Sequence, residues 1–235
     1  MRIYMRHLTW KHLVAINVVI LLLVVGYYAK RMIGESYSYD EHIKKGNSYL
    51  QGGKWKPASR EFSEAAKIRP ESYDPHYGVG AAYLKLRQVD KAALALENAV
   101  RINPDAVEAH YSLGIAYQRM QNYDLAIREY REVLKLDPQS FQVYNSLGGI
   151  YFMQKKYDEA LKSYRRALEI NPGYYIAYMN IAAAYERMGR RQEALKTYKE
   201  VIRLAPQSPG NEKMIEVARR RIDTIEGRVI SKRKK

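Results

Sequence analysis

The sequence predicts an all-α protein, in which one transmembrane helix precedes a solenoid of five helix-turn-helix repeats closed by a capping helix. Three observations lead to this prediction. Residues 123–138 and 157–172 are nearly the same, YDLAIREYREVLKLDP and YDEALKSYRRALEINP. A charge-free apolar run occupies residues 13–29. Residues 209–226 follow the last repeat with a partial apolar face, which is typical of the solubilising helix that ends a repeat array.

The apolar run, LVAINVVILLLVVGYYA, predicts a membrane-spanning helix at residues 13–29. At 1.5 Å per residue it spans roughly 26 Å, near the short limit for a bilayer. Trp10 precedes it and Tyr27 and Tyr28 end it, as expected of rings at the two interfaces. A cleavable signal peptide is the alternative, but residues 26–31 are a poor match to a small-x-small cleavage site. We therefore expect an uncleaved anchor, with Asn17 tolerated inside the helix.

Charges on the two sides of the run predict its orientation. Arg2, Arg6, Lys11 and the terminal amine lie in the short basic segment 1–12, while Lys30 and Arg31 follow the run directly. The positive-inside rule places the N-terminus in the cytoplasm and the repeats in the periplasm of a bacterial inner membrane, by a margin of about two charges.

A short linker is expected between the membrane helix and the repeats, at residues 30–38. Ser38 and Glu41 have the spacing of a capping box, which would begin the first repeat helix. The solenoid is therefore expected close to the bilayer.

The repeat has a period of 34 residues and defines five units without a gap: 39–72, 73–106, 107–140, 141–174 and 175–208. Equivalent positions hold equivalent residues. Position 8 is Gly46, Gly80, Gly114, Gly148 and Ala182; position 11 is Tyr49, Tyr83, Tyr117, Tyr151 and Tyr185; position 20 is Ala58, Ala92, Ala126, Ala160 and Ala194; position 24 is Phe62, Leu96, Tyr130, Tyr164 and Tyr198; position 32 is Pro70, Pro104, Pro138, Pro172 and Pro206.

Each unit shows two helical runs of apolar residues with a break between them. Small residues at positions 8 and 20 allow the two helices to approach closely, and the aromatic positions fill the space between them. Asp90, Asp124 and Asp158 stand where the second helix would need an N-cap. One such pair cannot bury its apolar face alone, so the pairs must stack.

These positions resemble those of the tetratricopeptide repeat family, over residues 39–208. The sequence departs from the family pattern at Lys45, which is usually apolar, and at Ala182, which is usually Gly. The resemblance implies a right-handed superhelix that binds a helical or extended segment of a partner protein on its concave face.

The resemblance also implies which side chains line that face. They lie at positions 2, 5, 9, 12 and 13 of the first helices. The candidates for partner binding, at positions 5, 12 and 13, are Tyr77, Tyr111, Asn145, Met179, Gln118, Phe152 and Arg119. For Ile43 and Leu50, packing against neighbouring helices is an equal alternative. Of the residues with which some members clamp a partner's C-terminal carboxylate, only Asn47 matches, so this kind of clamp is not expected.

No catalytic or metal-binding pattern is recognisable, and we expect neither an enzyme nor a cofactor. The chain has no cysteine, and no HExxH, phosphate-loop or GxSxG motif is present. His42, His76 and His110 recur at position 4. Successive repeats are displaced by roughly 10 Å, far more than a zinc–nitrogen bond allows. These histidines are predicted to be packing residues.

The formal net charge of +15 is concentrated at the two ends of the chain. Residues 227–235 form a basic tail, for which a solvated end and attraction to anionic lipid or to an acidic protein are the two alternatives. Because the repeats dilute the charge, nucleic acid is not an expected partner.

Together these features predict a membrane-anchored adaptor or scaffold that binds protein partners while a membrane-associated complex is assembled or maintained. Bacterial relatives of this layout, as the resemblance implies, act in secretion, outer-membrane or pilus assembly, cytochrome maturation and organelle formation. The alternative is a permanent structural subunit of a larger membrane complex.

Overall fold

The computed structural model describes residues 10–205 and 211–227, and every regular element in them is an α-helix. The eleven helices of this described part are α1 (Trp10–Gln51), α2 (Trp55–Ile68), α3 (Tyr73–Lys85), α4 (Val89–Ile102), α5 (Val107–Arg119), α6 (Tyr123–Leu136), α7 (Phe141–Met153), α8 (Tyr157–Ile170), α9 (Tyr175–Arg187), α10 (Arg191–Leu204) and α11 (Glu212–Ile225).

Contacts divide the chain into an N-terminal unit, Met1–Asn103, and a C-terminal unit, Pro104–Lys235. The first contains α1 to α4 and the second α5 to α11. Within each unit every helix packs mainly against the next one along the chain. This order of contacts is that of stacked helix pairs and confirms the predicted repeat architecture.

The core of each repeat is a small residue on one helix facing a large one on its partner. The position 20 alanines are fully buried, and the position 24 side chains are at most 2% exposed. A Cβ atom built on Gly114 would lie 2.5 Å from Cε1 of Tyr130, and one on Gly148 would lie 2.5 Å from Cε1 of Tyr164. The ring at position 24 therefore occupies the volume that a side chain at position 8 would need.

The core of the N-terminal unit is formed by Phe62 with Ala58, Ala82 and other small residues. Ile43 and Leu50 pack against this cluster. Their contacts are those of packing residues, which was the alternative to partner binding.

Helix α1 corrects the predicted linker. Residues 30–38 belong to one continuous helix of 42 residues that joins the apolar run to the first repeat. Ser38 consequently lies inside a helix and does not begin one. Arg69, at the end of α2, places its guanidinium 4.1 Å from the centre of the Tyr39 ring and donates a 2.8 Å hydrogen bond to Oγ of Ser36. These contacts connect this part of α1 to the end of α2, which local sequence signals could not reveal.

The N-terminal part of α1 meets the length and composition expected of a membrane-crossing helix. Its apolar window has a mean hydropathy of 1.7, and none of the window is buried within the protein. A signal sequence would meet the same criterion.

Asp90, Asp124 and Asp158 are not N-caps, which corrects a second prediction. The capping positions of α4, α6 and α8 are Gln88, Asn122 and Lys156, and none of these side chains forms a capping hydrogen bond. The aspartates lie inside the first turn, where their charge is favourable to the helix dipole.

Helix α11 buries Ile215, Ala218, Ile222 and Ile225. Arg191 of α10 donates a 2.7 Å hydrogen bond to the carbonyl of Ile225, near the C-terminal end of α11. The predicted start of this helix at residue 209, the segment 1–9 and residues 228–235 of the basic tail lie outside the described residues.

The neighbouring glycines of α7 give a matched test of the core. Gly148→Ala should lower the free energy of unfolding by on the order of 1–3 kcal/mol, because the rigid ring of Tyr164 must move. Gly149→Ala should be neutral or raise it by up to about 1 kcal/mol, because helix propensity improves and the nearest atom, Nε2 of Gln118, is 3.4 Å from the new Cβ. Chemical denaturation measures both, and equal effects would contradict the packing described here.

Candidate functional site

The predicted partner-binding residues divide between the two units. Tyr77 lies on α3 of the N-terminal unit, and the other six lie on α5, α7 and α9 of the C-terminal unit. All except Arg119, which is exposed, are half-buried. Half-buried side chains on the first helices of the repeats are supported by the fold and still reachable from solvent.

On α5, Tyr111 and Gln118 both contact Tyr130 of α6. The rings of Tyr111 and Tyr130 lie 5.9 Å apart between centres, and the Tyr130 hydroxyl donates a 2.8 Å hydrogen bond to Oε1 of Gln118. Burial raises the pKa of Tyr130, and the nearby charge of Arg119 acts in the opposite direction. The phenol therefore stays neutral and holds Gln118 in place on the helix surface.

Asn145 of α7 is connected to the next first helix. The Nδ2 group of Asn180, on α9, donates a 2.8 Å hydrogen bond to Oδ1 of Asn145. Asn145 keeps its own amide hydrogens and Asn180 its own carbonyl oxygen for other partners. Side-chain amides of this kind can bind the backbone of an extended peptide.

Phe152 of α7 and Met179 of α9 line one cavity, of about 570 Å³. Both also pack against the buried core beneath them. Glu186, Arg187 and Arg221 line the same cavity. The opening therefore combines an apolar floor with charged side chains.

A second opening, of about 600 Å³, shares Met179 and Val217 with the first. Ile176 and Met214 also line it. Ile176 is 43% exposed and Val217 39% exposed, which is high for aliphatic side chains of this size. We call the two openings together, on α7, α9 and α11, the terminal groove.

Sequence reasoning omitted the contact that organises the terminal groove. Arg221 of α11 forms an ion pair with Glu186 of α9, with 3.0 Å between Nε and Oε2, and the Tyr198 hydroxyl donates to the same oxygen at 2.9 Å. Arg221 follows Arg187 by one period of 34 residues. Extending the repeat register into the capping helix would have indicated it.

The protonation states at this contact follow from burial and charge. Burial, reinforced by the hydrogen bond to the Glu186 carboxylate, raises the pKa of Tyr198 to about 12. The hydrogen bond to Glu186 raises the pKa of Arg221. At neutral pH the phenol is therefore a hydrogen-bond donor and the guanidinium is charged.

Tyr77 has a different environment. Its ring is stacked on that of Tyr73, with 5.6 Å between centres and 11° between planes. The stack fixes the direction of the Tyr77 ring on α3.

Each of the three recurring histidines lies within hydrogen-bond distance of an acceptor in the same part of the chain, N-terminal or C-terminal. Nδ1 of His42 lies 2.8 Å from Glu61, and Nε2 of His76 lies 2.7 Å from the Pro70 carbonyl. His110 is buried between Glu129 and the Pro104 carbonyl, each at 2.8 Å. Within residues 10–205 and 211–227, no three side chains of the metal-binding types form a group that could hold an ion.

Comparisons with known proteins agree with this geometry. Family models described as tetratricopeptide repeat match residues 111–175 and 151–210, and a further model described as TPR repeat matches residues 46–86 and 88–121. Together they extend over most of the chain. Among curated proteins, none matches.

Several similar solved structures carry the name MamA. One, named MamA AMB-1, is 31% identical, with a TM-score of 0.61; the alignment covers 69% of this chain and 96% of that one. Another crystal structure of MamA is 26% identical, with a TM-score of 0.62 and coverage of 67% and 92%. A third structure contains MamA from residue 41 to the end, from Desulfovibrio magneticus RS-1. It is 18% identical, with a TM-score of 0.68, and the alignment covers 73% of this chain and 98% of that one. At this identity the similarity shows the fold alone.

The pKa of Tyr198 leads to a pH-dependent prediction. Because folding raises this pKa from the ordinary value of 10.0 to about 12, its contribution to stability is present below pH 10 and is lost as the pH rises towards 12. Between these values the free energy of unfolding of the wild type should fall by roughly 1–2 kcal/mol more than that of Tyr198→Phe. Denaturation curves of both proteins at several pH values measure this, and parallel losses would contradict it.

Proposed function

Because the chain belongs to the tetratricopeptide repeat family, we propose that it is an adaptor that binds a protein segment in the terminal groove and holds it at a membrane. The family and the similarity to MamA structures support a protein-interaction scaffold. Anchoring through α1 and a role in assembling or maintaining a membrane-associated complex are the more specific parts of the proposal.

The open terminal groove is the observation that carries the proposal. Exposed Ile176 and Val217 lie beside half-buried Met179 and Met214 in the openings of the terminal groove. Apolar surface of this kind is stabilised when a partner removes it from water. A groove between helices is also the usual place for an amphipathic partner helix or an extended segment.

The lining of the groove defines the chemistry of the bound segment. Apolar side chains would contact Met179 and Val217, while the ion pair of Glu186 with Arg221 at one side would select polar or charged neighbours. Asn180 also lines the groove, and together with its hydrogen-bonded neighbour Asn145 it would bind peptide groups of the segment. Tyr77, Tyr111, Gln118, Phe152 and Arg119 stay predicted partner contacts.

The membrane part of the proposal rests on α1. Residues 14–29 of the charge-free apolar run are exposed, and exposure of so many aliphatic side chains to water would be unfavourable. We propose that residues 13–29 cross a bacterial inner membrane with the N-terminus in the cytoplasm and the repeats in the periplasm.

A permanent structural subunit is the second candidate function. It is favoured by Asn17, the one strongly polar residue of the run, which could hydrogen-bond to another membrane helix. Purification in a mild detergent separates the two, because a permanent subunit stays with its complex at fixed stoichiometry and an adaptor does not.

Photo-cross-linking tests the terminal groove. A photoreactive residue at Ile176 should cross-link in native membranes to a discrete protein, because this position is open and apolar. Val217→Asp should reduce that adduct about tenfold or more, as expected when a charge is buried in an apolar contact.

Leu136 of α6 provides a matched control for this experiment. It is 42% exposed, nearly the same as Ile176 at 43%, but lies outside the terminal groove, so a photoreactive residue there should give no such adduct. The same adduct from both positions, or an adduct that survives Val217→Asp, would place the binding site elsewhere.

The anchor makes a separate prediction. The protein extracted from membranes should have the mass of the uncleaved chain, and protease added outside spheroplasts should digest the repeats. A mature chain that begins near residue 30 would refute the anchor. Digestion of the repeats only after lysis would show the opposite orientation, with the repeats in the cytoplasm.

A further inference from the structure

The turns of the N-terminal unit carry an excess of positive charge. The α1–α2 turn and the α3–α4 turn, with their flanking residues 49–59 and 83–93, contain five cationic side chains and one acid, Asp90. The corresponding segments of the later repeats, 117–127, 151–161 and 185–195, are together nearly balanced, with six cations and five acids. We call the five cations of the N-terminal unit the basic edge: Lys54, Lys56, Lys85, Arg87 and Lys91.

Aromatic rings hold three of these lysines in place. The Lys85 ammonium lies 5.9 Å from the centre of the Trp55 ring, and this contact joins the two turns. Lys54 lies 6.0 Å from the ring of Tyr49, and Lys91 lies 5.5 Å from the ring of Tyr83. The charges are therefore gathered on one edge and partly ordered before any partner binds.

The basic edge is not neutralised by the protein itself. All five side chains are exposed, and in the part of the chain that the structure describes none of them forms an ion pair. Lys45, Lys67 and Arg101 of the same unit do pair with carboxylates. The edge thus keeps a concentrated positive potential that is available to a ligand.

Helix stability does not explain these lysines. Lys54 is the N-cap of α2 and Lys56 lies in its first turn, which contains no acid, and Lys91 lies in the first turn of α4. Positive charge at a helix N-terminus is unfavourable. Arg87 has a left-handed φ of 59°, but Gln121 holds the same conformation, at 62°, in the equivalent turn of the next repeat. The backbone therefore does not require an arginine.

The continuous helix α1 excludes the anchoring membrane as the ligand, an argument that rests on the proposed anchor. From Ala29 to Gln51, next to the first turn of the basic edge, α1 runs for about 33 Å. Charges in physiological salt are screened over about 8 Å. Headgroups of the bilayer that holds residues 13–29 are thus too distant to neutralise the edge.

The ring contacts favour protein over nucleic acid. Single-stranded nucleic acid binds largely by stacking bases on open aromatic faces. The rings of Tyr49, Trp55 and Tyr83 each already have a lysine ammonium over them. An acidic peptide segment would bind the ammonium groups through its carboxylates, and this binding does not require access to the faces of those rings.

We propose that the basic edge is a second binding surface, which takes an acidic segment of a partner protein across the first two repeats. It is separate from the terminal groove, in a different unit of the chain. An adaptor with two such surfaces can bind two segments, or two partners, at once.

Binding of a defined acidic peptide tests the proposal. The full chain, in nanodiscs of neutral lipid, is titrated into a fluorescein-labelled peptide of alternating Glu and Ser, and anisotropy reports binding. A peptide of alternating Gln and Ser is the probe control and should not bind. The quadruple variant carries Lys54→Gln, Lys56→Gln, Arg87→Gln and Lys91→Gln. Its affinity for the acidic peptide should be about tenfold or more below that of the wild type, since four exposed ion pairs are lost.

A control variant removes the same charge from exposed positions of the C-terminal unit: Lys155→Gln, Lys156→Gln, Lys162→Gln and Lys196→Gln. Circular dichroism verifies that both variants keep their helix content. Unchanged peptide affinity in the control, with the loss confined to the first variant, supports the proposal. Equal losses of peptide affinity in the two variants would show attraction to net charge alone and would overturn the proposal. Failure of the wild type to bind the acidic peptide would also overturn it.

Competition distinguishes the other ligand classes. An oligonucleotide of similar charge that binds more tightly than the peptide, and does so only with the basic edge intact, would overturn the proposal in favour of nucleic acid. Displacement of the peptide by vesicles containing anionic lipid would overturn it in favour of a membrane. Peptide binding is measured whether or not α1 is the natural anchor, so failure of the anchor and failure of the basic edge give different results.

Discussion

The repeat architecture depends on one steric constraint, the contact between a residue without a side chain and a large side chain of its partner helix. At position 8 a Cβ would collide with the position 24 side chain in each repeat where glycine stands, from Phe62 to Tyr164. This close approach brings the two helices of a pair into dense contact, and the stacking of successive pairs then buries their apolar faces. In the last repeat Ala182 replaces glycine and is fully buried, so that helix pair accommodates one methyl group.

Building a core from small residues and rings has a consequence for the surface. Because the recurring small and aromatic residues fill the interior of each pair, the positions of the first helices that do not take part in this packing are free to differ. In the C-terminal unit these positions hold Tyr111, Asn145 and Met179, which share one register and differ in chemistry. A repeated scaffold can therefore present a surface that does not repeat, which is what recognition of a particular segment requires.

The continuous α1 changes how the anchor relates to the rest of the N-terminal unit. A flexible linker would let the repeats move freely over a membrane. A helix that Arg69 and Ser36 tie to the first repeat instead sets their distance from it. Helix α1 thus connects the proposed anchoring with the proposed basic edge.

The sequence by itself determined the helix pairs, the period of 34 residues and the composition of the core, because identical packing demands identical residues at fixed spacing. It also identified Phe152 and Met179, which the structure brings to one cavity. It did not show that residues 30–38 are helical, nor that Ser36 contacts Arg69, 33 residues away at the end of α2. The repeat register indicates the position of Arg221 on the capping helix, but only the structure shows that Arg221 pairs with Glu186, 35 residues earlier. Local spacing determines which residues share a helix face, whereas contacts between distant residues, which only the tertiary structure establishes, decide where a helix ends and which charges meet.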